Sequence, residues 1–232
     1  MGKYIHEKAD WPDFEFDASL LQDPLLKLHR AHARLFGMLD ALGFDVRNEL
    51  QLDAIADEVV TSSEIEGEII NRSSVRSSVA KRLGLDSGGL IVPGADRYTE
   101  GVIEMTMDAT QNYMLPVTDE RLFAWHSSLF PTGWNSMRRI TVGAYRTEEV
   151  SIVSGVLGKE KVHYTAPAPG RVPGEMKRYL EWLEAERDVD PYAKAGIAHQ
   201  WFEAIHPFDD GKMGEALQVL ARHGASRYRR YD

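Results

Sequence analysis

Ile205-His206-Pro207-Phe208-Asp209-Asp210-Gly211 sets a histidine, a rigid proline, an aromatic ring, two carboxylates and a glycine between two amphipathic segments. Before it, Ala193, Ile197, Trp201 and Ile205 recur every four residues with Ala198 and Phe202 beside them, which predicts a buried helix ending at the histidine. After it, Met213, Ala216, Leu217, Leu220 and Ala221 form a second helical stripe, closed by Gly224. The stretch is therefore expected to be a loop running into a helix N-terminus, where unpaired backbone N–H groups and the helix dipole favour an anion such as phosphate. An imidazole suits base chemistry near neutral pH, and a carboxylate suits a hard cation such as magnesium. The plainer alternative is a helix-to-helix turn with a capping aspartate and a solvated histidine.

Bulk properties narrow the function classes. The 232 residues, 43% of them hydrophobic, suffice for one large or two small domains with a sizeable core. A formal net charge of −9 is a poor basis for nucleic-acid binding, and only the tail from Arg222 to Arg230 is basic. No cysteine is present, which excludes disulfides, thiol catalysis and cysteine-ligated metal. The N-terminus lacks an apolar signal core and no run reaches the length of a membrane span, so a soluble cytoplasmic protein that binds neither nucleic acid nor membrane is expected.

Outward from the loop the pattern is mostly helical. Residues 4 to 17 alternate aromatic and acidic groups around Trp11-Pro12 and read as a segment packed along a surface. Leu21, Leu25, Leu28, Leu35, Leu39 and Leu42 predict one long helix from Leu20 to Leu42, with Pro24 tolerable only in its first turn. A second helix is expected from about Leu52, with Ile55, Ala56, Val59 and Val60 on one face, running into the polar stretch from Thr61 to Glu68. Asn71 caps a helix stopped at Gly84, and Asp96 caps another through about Tyr113. The turn-rich residues between them mark the expected boundary of an N-terminal helical portion, 1–84, from a core over 95–232. Thr118 caps a helix with Leu122, Trp125, His126 and Leu129 inward, His126 being read as a satisfied core residue. From Gly143 to Pro167 the period turns to alternation: Val150, Ile152 and Ser154 on one strand and Lys161 to Thr165 on its partner predict the single hairpin. Pro173 to Glu186 is a further helix with Met176, Tyr179, Leu180 and Leu183 inward. The expected fold class is mainly α with one β-hairpin.

His206, Phe208, Asp210 and Gly211 resemble the signature of the Fic (Fido) family: His, any residue, Phe, any residue, Asp or Glu, then Gly-Asn-Gly-Arg and a second Arg three positions on. Ser62 through Gly67 resembles the family's inhibitory helix, and Gly143-Ala144-Tyr145-Arg146 followed by Val150-Ser151-Ile152 resembles its flap hairpin. The order of these elements over most of residues 52 to 223 is also the family's. The resemblance implies ATP- and magnesium-dependent transfer of AMP to a hydroxyl of a target protein. It gives His206 the role of general base, Asp210 that of metal ligand and Phe208 that of loop anchor. Gly211, Lys212 and Gly214 would stand at the phosphates, and Ser62 and Glu66 in the inhibitory element. Tyr145, Val150 and Ile152 would form the flap that receives the target by strand addition. The target itself, the nucleotide's identity and any homo-oligomeric assembly are left open.

Past Gly211 the resemblance stops. Lys212-Met213-Gly214 stands where the family has Asn-Gly-Arg, and Leu217 holds the place of the second arginine, with which the inhibitory glutamate would pair. Met213 puts a side chain into the anion nest, and Lys212 offers a point charge in place of a bidentate fork. Two functions follow as expectations: a self-inhibited protein adenylyltransferase, or a catalytically impaired Fic-fold protein that binds a nucleotide or a partner. A plain helical interaction domain is the third. The abrupt end of the match raises the expectation of a truncated or frame-altered C-terminus.

Overall fold

The structure is a computed structural model that describes residues 2–65, 67–85, 94–135, 138–156, 159–186 and 188–210. The chain divides into two compact units, residues 14–103 and residues 1–13 with 104 onward, the division falling between Ile103 and Glu104. The boundary expected between 84 and 95 spans residues 86–93, outside the described residues.

In the unit of residues 14–103, α1 (Ala18–Asp40) starts two residues before the expected Leu20 because Asp17 caps it, its carboxylate accepting from Ser19 N–H at 2.9 Å. Pro24 lies inside α1, beyond the first turn where it was expected to be tolerated. The carbonyl it leaves without an N–H partner is that of Leu20, a residue 73% exposed, so water can serve it. The second helix, α2 (Phe44–Ile65), begins well before the expected Leu52. Its first two turns carry exposed Phe44, Val46 and Leu50, which break the apolar period that marks the buried half. Leu52, Ile55, Ala56 and Val59 are buried as expected. Next, α3 (Arg72–Leu83) is capped by Asn71, which accepts from Ser74 N–H at 3.0 Å, and ends at left-handed Gly84. It lies against α2 through a ladder in which Arg72 pairs with Asp57 and Arg76 with Asp53 and Glu49.

The division between units falls within α4 (Arg97–Gln111), which Asp96 caps through Thr99 N–H at 2.8 Å. In the other unit, α5 (Asp119–Leu129) buries Leu122, Trp125, His126 and Leu129. Two strands that the sequence reading missed follow: β1 (Trp134–Asn135) pairs antiparallel with β2 (Arg138–Arg139). Two-residue strands leave no alternation to detect, so this short pair adds to the expected hairpin without a pattern of its own in the sequence. The expected hairpin is present as β3 (Ser151–Ser154) against β4 (Lys161–Thr165), with an irregularity in register between Ile152 and Val153.

Two packed helices, α6 (Val172–Ala185) and α7 (Pro191–Ile205), are the last helices of this unit among the described residues. Val172, Met176, Tyr179, Ala198, Trp201, Phe202 and Ile205 are buried in its core. Ala193 and Ile197 are only half-buried, and Lys194 is buried instead, its Nζ donating to the carbonyls of Leu183 and Glu186 at 2.6 and 2.8 Å. It thus serves the unpaired carbonyls at the end of α6. The N-terminal segment packs along this unit as expected, with one 3-10 turn at Ile5–Glu7. There His6 Nδ1 is 3.1 Å from the Tyr164 hydroxyl and Trp11 Nε1 donates to Glu175 at 2.9 Å.

Candidate functional site

The end of α7 builds the site. His206 terminates the helix in the left-handed conformation, φ 49° and ψ 64°, while its N–H still bonds to the Phe202 carbonyl at 2.9 Å. Among the described residues it is the one non-glycine with positive φ, a conformation that costs on the order of 1 kcal/mol outside glycine and gathers at functional sites. Pro207 and Phe208 then turn inward. Phe208 is 1% exposed, its ring centroid 4.6 Å from that of His126, 5.7 Å from Tyr145 and 6.3 Å from both Phe123 and Phe202. This anchored ring fixes the depth of the loop, with Pro207 and Asp210 also buried and His206 and Asp209 half-buried beside it.

His206, Asp210, Glu203, Phe202, Pro207 and Phe208 line a small open cleft. The structure thus brings together the expected base and the expected metal carboxylate. The His206 pKa is lowered, first by burial and then by the nearby Arg146 charge, against the opposing pull of Asp210 and Asp209. A neutral imidazole at pH 7 is the form able to accept a proton. Asp210 is buried and its Oδ2 accepts from Asn135 Nδ2 on β1. Among the described residues no cluster of three or more metal-ligating side chains occurs. A single carboxylate still fits magnesium, which is commonly held by one or two carboxylates together with substrate phosphates.

Other expected residues fall elsewhere. Val150 is half-buried at the foot of the β3–β4 hairpin, and Ile152 is 55% exposed on β3. Neither hairpin strand pairs with a third strand among the described residues. Tyr145 departs from its expected place on the flap. It precedes β3 and packs under the loop, its ring 4.9 Å from Phe123 and its hydroxyl donating to Asp119. Burial and that bond raise its pKa, so it remains a neutral structural phenol. Ser62 lies near the end of α2, in the unit of residues 14–103, its Oγ donating to Glu58 at 3.3 Å. Glu66, Gly211, Lys212 and Gly214 lie outside the described residues.

Three participants were missed by sequence reasoning. Asn135 holds the Asp210 carboxylate, the Thr141 N–H donates to Asp209 Oδ2 at 2.7 Å, and Arg146 reaches the carbonyls of the loop. Only Arg146 had a signal, as the last residue of the quoted Gly143–Arg146 run. His126 is buried as expected, but both its ring nitrogens lack a hydrogen-bond partner among the described residues, so it is not satisfied there.

Comparison with known proteins agrees with this geometry. Residues 116–212 match the profile of the Fic/DOC family, and residues 4–85 match a domain of unknown function, DUF4172. A probable protein adenylyltransferase of Aquifex aeolicus is 40% identical over 65 residues, 26% of this chain and 20% of that protein. Among solved structures, a Fic family protein from Desulfovibrio desulfuricans superposes with a TM-score of 0.59 at 24% identity, covering 94% of this chain and 61% of that one. A Fic domain containing signaling protein from Bacteroides thetaiotaomicron gives 0.60 at 18% identity, over 83% of this chain and 70% of that one. At these identities the structural likeness shows the fold, and this chain spans only part of the proteins it resembles.

Proposed function

This chain is a Fic-domain protein, and from that premise we propose that it is a protein adenylyltransferase that moves AMP from ATP to a hydroxyl side chain of a target protein. The observation that carries the reading is the pairing of His206 and Asp210 in one cleft at the end of α7, with the Phe208 ring anchored beneath them.

In this reading neutral His206 takes the proton of the target hydroxyl as its oxygen attacks the α-phosphorus of ATP. The new bond is oxygen to α-phosphorus, the bond broken joins the α-phosphorus to the α,β-bridging oxygen, and pyrophosphate leaves. Asp210 would hold Mg²⁺, which when bound supplies charge neutralisation at the phosphates. Gly211, Lys212 and Gly214 are assigned to the phosphate-binding turn, and the outer edge of the β3–β4 hairpin near Val150 and Ile152 to the target backbone. Ser62 and Glu66 are assigned to an inhibitory element, and the proposed setting is the cytoplasm.

One observation favours a second reading, a Fic-fold protein that binds nucleotide without turnover. Lys212-Met213-Gly214 and Leu217 remove the arginines and the second glycine that the resemblance calls for. Transition-state stabilisation in phosphoryl chemistry is largely electrostatic, and loss of one such contact costs on the order of a hundredfold.

The deciding experiment is mass spectrometry of the purified chain, alone and with a lysate, after incubation with ATP and magnesium, beside His206→Ala as the blank. An adenylyl adduct absent from the blank supports transfer. Its absence, persisting in Glu66→Gly, while ATP binding is retained, supports the second reading.

A further inference from the structure

Arg146 is 2% exposed, and its guanidinium is caged by main-chain oxygens. Its Nε donates to the His206 carbonyl at 2.6 Å, Nη1 to Glu148 at 2.8 Å, and Nη2 to Pro167 at 2.6 Å, with a longer contact to Ile205 at 3.4 Å. Its own N–H donates to the Pro207 carbonyl at 2.9 Å. Three elements meet on this one side chain. Glu148 and Pro167 are the two roots of the β3–β4 hairpin, and Ile205 and His206 are the carbonyls left unpaired where α7 ends. A cation at that helix terminus also meets the negative end of the dipole. The planar fork of arginine suits several fixed acceptors in one plane, a task for which lysine's single ammonium is poorly shaped.

We propose that Arg146 is the positioning residue of this site, its guanidinium fixing the left-handed turn at His206 and so the direction of the imidazole relative to the hairpin. The catalytic part of this inference rests on the adenylyl-transfer reading; the positional part does not. The bonds to the His206 and Pro207 carbonyls leave the loop little freedom to relax to an ordinary helical or extended φ at residue 206. Asp209 is pinned from the other side by the Thr141 N–H at 2.7 Å, so the loop is held both before and after Phe208. Burial does most to lower the His206 pKa, and the Arg146 charge lowers it further against the pull of Asp210 and Asp209, so the guanidinium adds to what keeps the imidazole neutral.

The test uses the full chain with Arg146→Lys, which keeps the charge and loses the fork, and Arg146→Met, which loses both. Amide hydrogen exchange at His206 and Thr141 and NMR titration of the His206 ring are measured without nucleotide. We expect both variants to exchange at least about tenfold faster at these amides. The His206 midpoint is expected to rise in Arg146→Met and to stay near wild type in Arg146→Lys. Where wild type forms an adenylyl adduct, Arg146→Lys is expected to form it roughly a hundredfold more slowly with unchanged ATP affinity, as for a misplaced reacting group. Unchanged exchange and His206 resonances in a folded Arg146→Lys would overturn the proposal. So would global unfolding of Arg146→Lys, which would make the residue a requirement of the fold. A wild type that transfers nothing defeats the adenylyl-transfer reading alone, because exchange and titration still decide the role of Arg146.

Discussion

Asn135 and Asp210, 75 positions apart in the chain, are joined by a hydrogen bond from the Asn135 amide to the Asp210 carboxylate. The donor sits on a two-residue strand and the acceptor at the end of the His206 loop, so the carboxylate is aimed by an element that has no sequence pattern of its own.

Removing that donor should loosen the carboxylate without unfolding the chain. For Asn135→Ala we expect magnesium-dependent ATP affinity to fall about tenfold, the range typical of groups that orient a metal ligand. Calorimetry with and without magnesium checks it: equal losses in both would mean that Asn135 does not act through the metal carboxylate.

Phe208→Ala should be among the most damaging single changes in this unit. Its ring is 1% exposed among Phe123, His126, Tyr145 and Phe202, and truncation of a buried phenylalanine costs about 3–5 kcal/mol. Urea denaturation measures it, and a loss under about 1 kcal/mol would show that the loop collapses onto the space.

Burial depresses the His126 pKa from 6.5 to about 4, partly opposed by Asp209. A histidine held neutral when folded contributes stability that is whole above pH 6.5 and is lost as pH falls toward 4, because the unfolded chain binds the proton first. The loss amounts to roughly 3 kcal/mol over that window. Urea midpoints from pH 7 to 4 should therefore fall more steeply for wild type than for His126→Leu; parallel curves would contradict the assignment.

Two glycines should respond to alanine in opposite directions. Gly67 has φ +80° where the chain leaves α2, with Glu68 N–H closing on the Ser63 carbonyl at 2.9 Å, and nothing crowds its would-be Cβ. Gly67→Ala should therefore cost about 1 kcal/mol through backbone strain alone. Gly37, inside α1 with open space around it, should gain up to about 1 kcal/mol on the same change. Urea denaturation of the pair tests both signs.

The helices were largely legible because their information is local. Asn71, Asp96, Thr118 and Gly84 mark helix ends through bonds or backbone angles within a few residues, and they do so in the structure. The buried face of α2 showed through its period, whereas its exposed first half did not, since Phe44, Val46 and Leu50 carry no periodic constraint. Tyr145 was legible as part of a motif and misread in place, because nothing local reveals whether a phenol reaches a strand edge or turns under the loop toward Asp119.

By itself the sequence determined the end of α7 at His206, the inward ring of Phe208, the β3–β4 hairpin and the mainly helical class. Each follows from the spacing of neighbours or from a short motif. Tertiary structure alone decided that Asn135 would hold Asp210, that Thr141 would bind Asp209, and that the Arg146 guanidinium would gather carbonyls from residues 148, 167, 205 and 206. Those choices depend on which unpaired polar groups are buried together once the elements pack. A buried donor must find an acceptor wherever the fold has placed one, and no periodicity along the chain encodes that meeting.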